Sequence, residues 1–185
     1  MKTWILVGFL ALFGSGALAA EEVPAQAQAC VACHGKEGVS SNPEWPNLAG
    51  QNAGYLAAQT TAFREGSRDN PAMMPFVANL SDEDIVVLSE YYSGLSRVTM
   101  ANGDPTLVAK GENLSAYCKA CHGMQGVPAT EDWPILAGQH APYLINQLLA
   151  YKSGARVNSH MAAVIARFGE AEFKALAAYY SQLGP

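Results

Sequence analysis

Charge is scarce in this chain, and positive charge scarcer still. Only 15% of its 185 residues are charged, and 11 Lys and Arg stand against 16 Asp and Glu, for a formal net charge of −5. A surface so short of cations does not suit nucleic acid, whose binding is carried by Lys and Arg on phosphates. No alternating run of β-branched residues is long enough for a sheet, and no glycine-rich flavin-binding fingerprint is present. Past the first twenty residues no stretch is apolar for the roughly 20 positions that a spanning helix needs. Cysteine is limited to four residues. What is plentiful is apolar side chain, 50% of the total, which sets disorder aside and points to one or two globular domains.

The start of the chain stands apart. Lys2 precedes an apolar run from Trp4 to Leu18, and Ala17-Leu18-Ala19 forms a small-x-small cleavage signal ahead of Glu21 and Glu22. Residues 1–19 therefore read as a secretory signal peptide cut after Ala19, which makes the mature protein an exported, periplasmic one without a transmembrane segment. An uncleaved anchor is the alternative, but Gly8, Gly14, Ser15 and Gly16 interrupt the run. The remaining charge is uneven. Residues 20–97 hold ten acids against four bases, whereas residues 98–185 hold six of each. This asymmetry either orients the molecule toward different partners or reflects ordinary surface solvation.

An internal repeat organises the rest. Cys30, Cys33 and His34 return 88 residues later as Cys118, Cys121 and His122, and the register then holds without a gap. Trp45-Pro46, Leu48-Ala49-Gly50-Gln51, Tyr55-Leu56, Gln59, Gly66, Arg68, Asn70 and Met73 all recur. Both copies end in Tyr-Tyr-Ser-x-Leu, at Tyr91 to Leu95 and Tyr179 to Leu183. Comparing Cys30–Leu95 with Cys118–Leu183 gives 28 identities in 66 positions, so the chain is a duplication: domain 1 over residues 20–97 and domain 2 over 98–185, joined around Ser96 to Asp104.

Each copy reads as helical, and the fold class as all-α. Ser81-Asp82-Glu83-Asp84 is a helix start with acids in its first turn, after which Ile85, Leu88, Tyr91, Tyr92 and Leu95 recur at helical spacing. Phe173, Leu176, Tyr179, Tyr180 and Leu183 repeat the pattern. Middle helices are expected over about Ala53 to Glu65 and Pro142 to Ser153, closed by Gly66 and Gly154. Asp104-Pro105 marks a capped start for a helix running toward Tyr117. Units of this size bury little surface by themselves and usually need a staple.

The two Cys-x-x-Cys-His motifs supply one. Their spacing is that of covalent haem attachment, with both thiols forming thioethers to vinyl groups and the following histidine binding iron. Disulfides, a zinc site and a thioredoxin-like redox pair are the competing readings; none requires a histidine after both pairs, and the last wants a βαβ pattern. The reading is two haem c groups, held by Cys30 and Cys33 with His34 as axial ligand, and by Cys118 and Cys121 with His122.

For the sixth ligand, Met73 and Met161 are the methionines at equivalent places, each 39 residues after its histidine. Met74 competes in the first domain, but its counterpart is Ala162. His160 competes in the second, adjacent to Met161 and a good iron ligand. Metal-bound histidines usually donate their other N–H to a carbonyl or carboxylate, and the backbone carbonyls of Pro46 and Pro134 are the candidates. Trp45, Trp133, Tyr55 and Tyr143 line the haems or pack the core; Arg68 and Arg156 are expected to pair with propionates.

With these residues in view, the chain resembles the dihaem cytochrome c4 family over essentially its whole mature length. The resemblance rests on the tandem CxxCHG motifs, the Trp-Pro-x-Leu-Ala-Gly-Gln stretches, the Tyr-Leu-x-x-Gln helix starts, and Met73 with Leu80-Ser81-Asp82. It implies two class I cytochrome c folds related by pseudo-twofold symmetry, His/Met ligation of both haems, and periplasmic electron transfer toward a terminal oxidase. The partners implied are redox proteins: a membrane-bound quinol-oxidising complex, a terminal oxidase or a flavoprotein, with peripheral membrane association among the options. The chain departs from the family before the first motif. Lys110-Gly111-Glu112 resembles the usual first helix of a cytochrome c, where glycine packs on an aromatic residue of the last helix, but the first domain has Val23 in the glycine's place, followed by Pro24.

An electron carrier, not an enzyme, is thus the expected function. The alternative is a dihaem cytochrome subunit of a flavin-containing oxidoreductase such as sulfide dehydrogenase. A dihaem peroxidase would need an exchangeable iron ligand, which equivalent methionines argue against.

Overall fold

The structure, a computed structural model, describes residues 22–100 and 103–184. The expected signal peptide lies outside the described residues. Within them every regular element is helical and no strand occurs. In chain order the first half contributes α1 (Val31–His34), α2 (Ala53–Arg64), α3 (Met74–Val77) and α4 (Asp82–Gly94). The second contributes α5 (Pro105–Leu114), α6 (Lys119–His122), α7 (Ala141–Ser153), α8 (Ser159–Ile165) and α9 (Glu170–Ser181).

Local chemistry sets these boundaries. The Ser81 hydroxyl accepts from the Asp84 N–H at 3.1 Å while the Asp84 carboxylate accepts from the Ser81 N–H at 3.0 Å, a complete capping box for α4. Asp104 Oδ1 accepts from the Thr106 N–H at 2.7 Å and so caps α5, with Pro105 in its first turn. Gly154 ends α7 in the left-handed region at φ 80°.

Each half closes around its last helix. Phe173, Leu176, Tyr179 and Tyr180 of α9 join Leu144, Ile165 and Phe168 in one core; Leu88, Tyr91 and Tyr92 of α4 join Ala27 and Leu56 in the other. The halves differ where the sequence does. In the second, α5 lies so close on α9 that a Cβ on Gly111 would fall 2.0 Å from the Ala175 carbonyl oxygen. In the first, among the described residues, a 3-10 turn, Ala25–Ala27, is what precedes the motif, and Val23 packs against the core. A branched side chain is incompatible with the closeness that Gly111 permits.

The halves meet through contacts that obey the 88-residue register. The Tyr55 N–H donates to the Glu131 carbonyl at 2.8 Å, and the Tyr143 N–H to the Pro43 carbonyl at 3.2 Å. The Gln51 amide bridges both polar atoms of the Ile135 backbone, accepting at 2.7 Å and donating at 2.9 Å. Gln139 does the same to Asn47, at 2.8 Å for each bond. These reciprocal pairs define a pseudo-twofold axis between the two halves.

The repeated arginines also reach across this axis. Arg68 donates to Gln59 of its own half at 2.8 Å and across the axis to Gln147 at 2.8 Å and the Tyr143 hydroxyl at 3.3 Å. Arg156 donates to Gln147 at 2.7 Å, and across the axis to Gln59 at 2.7 Å and the Tyr55 hydroxyl at 2.8 Å. The planar fork of five donors reaches several acceptors at once, so these guanidinium groups join the halves. Tyr55 and Tyr143 serve the same join. Trp45 and Trp133 are each 40% exposed and so belong to neither core.

Candidate haem sites

Both motifs fold into the same single turn. The His34 N–H donates to the Cys30 carbonyl at 2.9 Å, as the His122 N–H does to that of Cys118 at 2.9 Å. The glycine that follows is required in each. Gly35 and Gly123 sit at φ 78°, and a Cβ there would meet the carbonyl oxygen of Val39 at 2.1 Å or of Val127 at 1.9 Å. The chain can therefore turn sharply after the histidine only with glycine.

The turn buries the histidine and frees one of its nitrogens. His34 Nδ1 lies 2.9 Å from the Pro46 carbonyl oxygen, and His122 Nδ1 lies 3.1 Å from that of Pro134. A carbonyl only accepts, so Nδ1 carries the proton and Nε2 keeps its lone pair, the tautomer a metal ligand needs. Burial lowers both imidazole pKa values, with the proline carbonyls pulling them partly back. Burial thus favours the neutral form of each ring.

The surroundings fit a covalently attached haem. The four cysteines form no disulfide with one another and are each half-buried, and burial raises the pKa of Cys30 and Cys118. No three His, Cys, Asp or Glu side chains come together as a metal cluster among the described residues, whereas a structural zinc site takes four such ligands. Beside Cys30 and Cys118 stand the phenols of Tyr92 and Tyr180, driven well up in pKa by burial. Each phenol faces the sulfur of its neighbouring cysteine, whereas Nη1 of Arg97 is buried without a hydrogen-bond partner among the described residues. Buried donors in that state call for an acceptor from outside the chain, and for Arg97 a carboxylate is the best match. The repeat could not have singled out Arg97, because its counterpart is the terminal Pro185.

The candidate sixth ligands fall on different local structures. Met73 caps the short helix α3, half-buried. Met161 lies within α8, whose Asn158 side chain accepts from the Met161 N–H at 3.0 Å, and it packs against the second core. The rival His160 is exposed, whereas Met74 is half-buried like Met73.

Comparison with known proteins gives concordant results. A family model described as cytochrome C oxidase, cbb3-type, subunit III matches residues 18–91. The cytochrome c4 of Pseudomonas aeruginosa is 34% identical over 190 residues, covering 94% of each chain. A thiosulfate dehydrogenase electron acceptor of Stutzerimonas stutzeri is 34% identical, over 85% of this chain and 80% of that one. Among solved structures, reduced recombinant cytochrome c4 from Pseudomonas stutzeri superposes with a TM-score of 0.80 at 30% identity, covering 85% of this chain and 95% of the other.

Proposed function

This chain belongs to the dihaem cytochrome c4 family, and from that premise we propose that it is a periplasmic carrier passing single electrons between a respiratory donor and a terminal oxidase or reductase. As a family member it is an electron-transfer cytochrome with two covalently bound haem c groups. In the proposed assignment, residues 1–19 are a cleaved export signal, and residues 20–97 and 98–185 are the haem-carrying domains. Cys30 and Cys33 anchor the first haem and Cys118 and Cys121 the second, while His34, Met73, His122 and Met161 are the axial ligands.

The haems supply a reversible one-electron change of iron, and the chain supplies everything that keeps this change simple. Pro46 and Pro134 fix the tautomer and ring orientation of the ligating histidines. His34 with Met73 and His122 with Met161 would give each iron two protein ligands, which would favour electron transfer over chemistry at the metal. Arg97 offers its unpaired N–H to a propionate.

The observation that carries the reading is the histidine turn built twice, with the same proline carbonyl on the same ring nitrogen. The test is an optical redox titration of the holoprotein, following the α band and the weak near-infrared band of methionine-to-iron(III) ligation. Two haems per chain with a full-strength band is the expected result; a half-strength band with peroxide turnover would move the protein to the peroxidase class. A second reading is favoured by the name of the Stutzerimonas stutzeri relative: this chain accepts electrons as the cytochrome partner of a dehydrogenase, a flavoprotein among the options. Co-purification of a stoichiometric dehydrogenase subunit would decide for it.

A further inference from the structure

The glutamine that ends each Leu-Ala-Gly-Gln stretch does more than join two surfaces. Pro46 C=O and Asn47 N–H are the two ends of one planar peptide unit. The oxygen accepts from His34 Nδ1 at 2.9 Å, and the N–H donates to Gln139 Oε1 at 2.8 Å. The same unit recurs in the other half: Pro134 C=O accepts from His122 Nδ1 at 3.1 Å, and Ile135 N–H donates to Gln51 Oε1 at 2.7 Å. Each glutamine then closes the bridge by donating Nε2 to the carbonyl of Asn47 or Ile135, at 2.8 and 2.9 Å.

Three features set this apart from ordinary interface filling. First, the target is a peptide unit and not a side chain, since residue 47 is Asn and residue 135 is Ile. Second, all four glutamine and target residues are buried, where a hydrogen bond is least diluted by water. Third, the bonds lie in series: a peptide whose N–H is engaged presents a more polarised carbonyl, which holds the histidine N–H harder. That hydrogen bond sets the orientation and basicity of a metal-bound imidazole.

We propose that Gln51 and Gln139 are positioning residues for the iron-binding histidine of the opposite half, each holding the peptide whose carbonyl orients that ring, so that the environment of one haem is set by a side chain of the other domain. The inference rests on the reading that His34 and His122 bind iron. Its signature is crossed: loss of Gln139 acts at the first haem and loss of Gln51 at the second.

The test uses holoprotein carrying Gln51→Leu, Gln139→Leu, Gln51→Glu or Gln139→Glu. Both midpoint potentials are measured by titration, and the hyperfine-shifted Nδ1–H resonances of His34 and His122 report which haem is affected. Each Leu variant should shift the midpoint and the Nδ1–H resonance of the opposite haem and speed amide exchange at Asn47 or Ile135. The Glu variants keep an acceptor for the peptide N–H and, because their added charge reaches both midpoints, are read on amide exchange and the Nδ1–H resonance, which should stay near wild type; should a Leu variant fail to fold, Gln51→Met or Gln139→Met, which likewise offers no amide acceptor, takes its place. In the variants that lack the acceptor, equal shifts at both haems, shifts confined to the glutamine's own half, or no shift would overturn the proposal. A wild-type protein whose histidines show no iron-shifted resonances would instead remove the ligand assignment itself.

Discussion

Replacing Gly111 with alanine sets two effects of opposite sign against each other, and the geometry says which prevails. In an open helix interior, alanine is favoured over glycine by about 1 kcal/mol. Gly111 is not in the open. Its added Cβ would fall 2.0 Å from the Ala175 carbonyl oxygen, 2.6 Å from the carbonyl carbon and 2.7 Å from Tyr179 Cβ, whereas ordinary contact begins near 3.4 Å. The obstacle is mainly backbone, so no rotamer change relieves it, and α5 must move off α9 by more than an ångström. Overpacking typically costs 1–3 kcal/mol, and a backbone obstacle puts this case at about 3. Less the propensity gain, a net loss of about 2 kcal/mol remains, or roughly 8–16 °C in melting temperature for a unit of this size. The assay is thermal and guanidinium unfolding of the holoprotein followed by far-ultraviolet circular dichroism. Gly154→Ala is the comparison: nothing lies within 4 Å of its added Cβ, so only the cost of its φ of 80° should register. A Gly111→Ala protein as stable as wild type, or more so, would refute the close α5–α9 contact.

Three further outcomes follow from the sites and the interface. Met161→Ala should remove half of the near-infrared methionine band, while His160→Ala should leave it whole, because Met161 packs against the core and His160 is exposed; the reverse pattern would transfer the ligand role to His160. Arg156→Leu strands the acceptors of Gln59, Gln147 and Tyr55, and a loss of about 2 kcal/mol is expected from denaturant midpoints; Arg156→Lys, without the planar fork, should recover little of it. The Ser81 backbone N–H, and then the Ser81 hydroxyl, hold the Asp84 carboxyl below the usual carboxylate range. A depressed folded-state pKa means that this stabilisation is present above the unfolded pKa and is lost as pH falls through the folded one. The stability gap between wild type and Asp84→Asn should therefore narrow below about pH 4; a gap constant between pH 3 and 7 would contradict the capping box.

How much was legible in the sequence depends on how far each interaction reaches along the chain. The Cys-x-x-Cys-His turn, the caps at Ser81 and Asp104 and the left-handed stop at Gly154 span a few residues, so residue type and spacing suffice to read them. The proline carbonyl twelve residues from each histidine could still be named, because a ligating imidazole needs an acceptor and the repeat marks the same place twice. Val23 in the place of Gly111 likewise pointed away from a full-length first helix in the first half, and among the described residues it is the second half that lays such a helix on its last one.

The repeat could not tell whether a recurring residue serves its own half or the other one. Equivalence under an 88-residue shift is the same in both cases, so the recurrence of Arg68 and Arg156 does not say which half their donors serve. Only the packing of the halves, through Gln59, Gln147 and the two tyrosine hydroxyls, shows that they act across the axis. Gln51 and Gln139 belong to the same class, since their acceptors and donors lie 84 and 92 residues away. The sequence by itself thus determined the two haem motifs, the duplication and the helices, all of which rest on local chemistry written twice. The tertiary structure alone decided which half each conserved polar side chain completes, because a pseudo-twofold axis exchanges partners without leaving any mark on the pattern of residues.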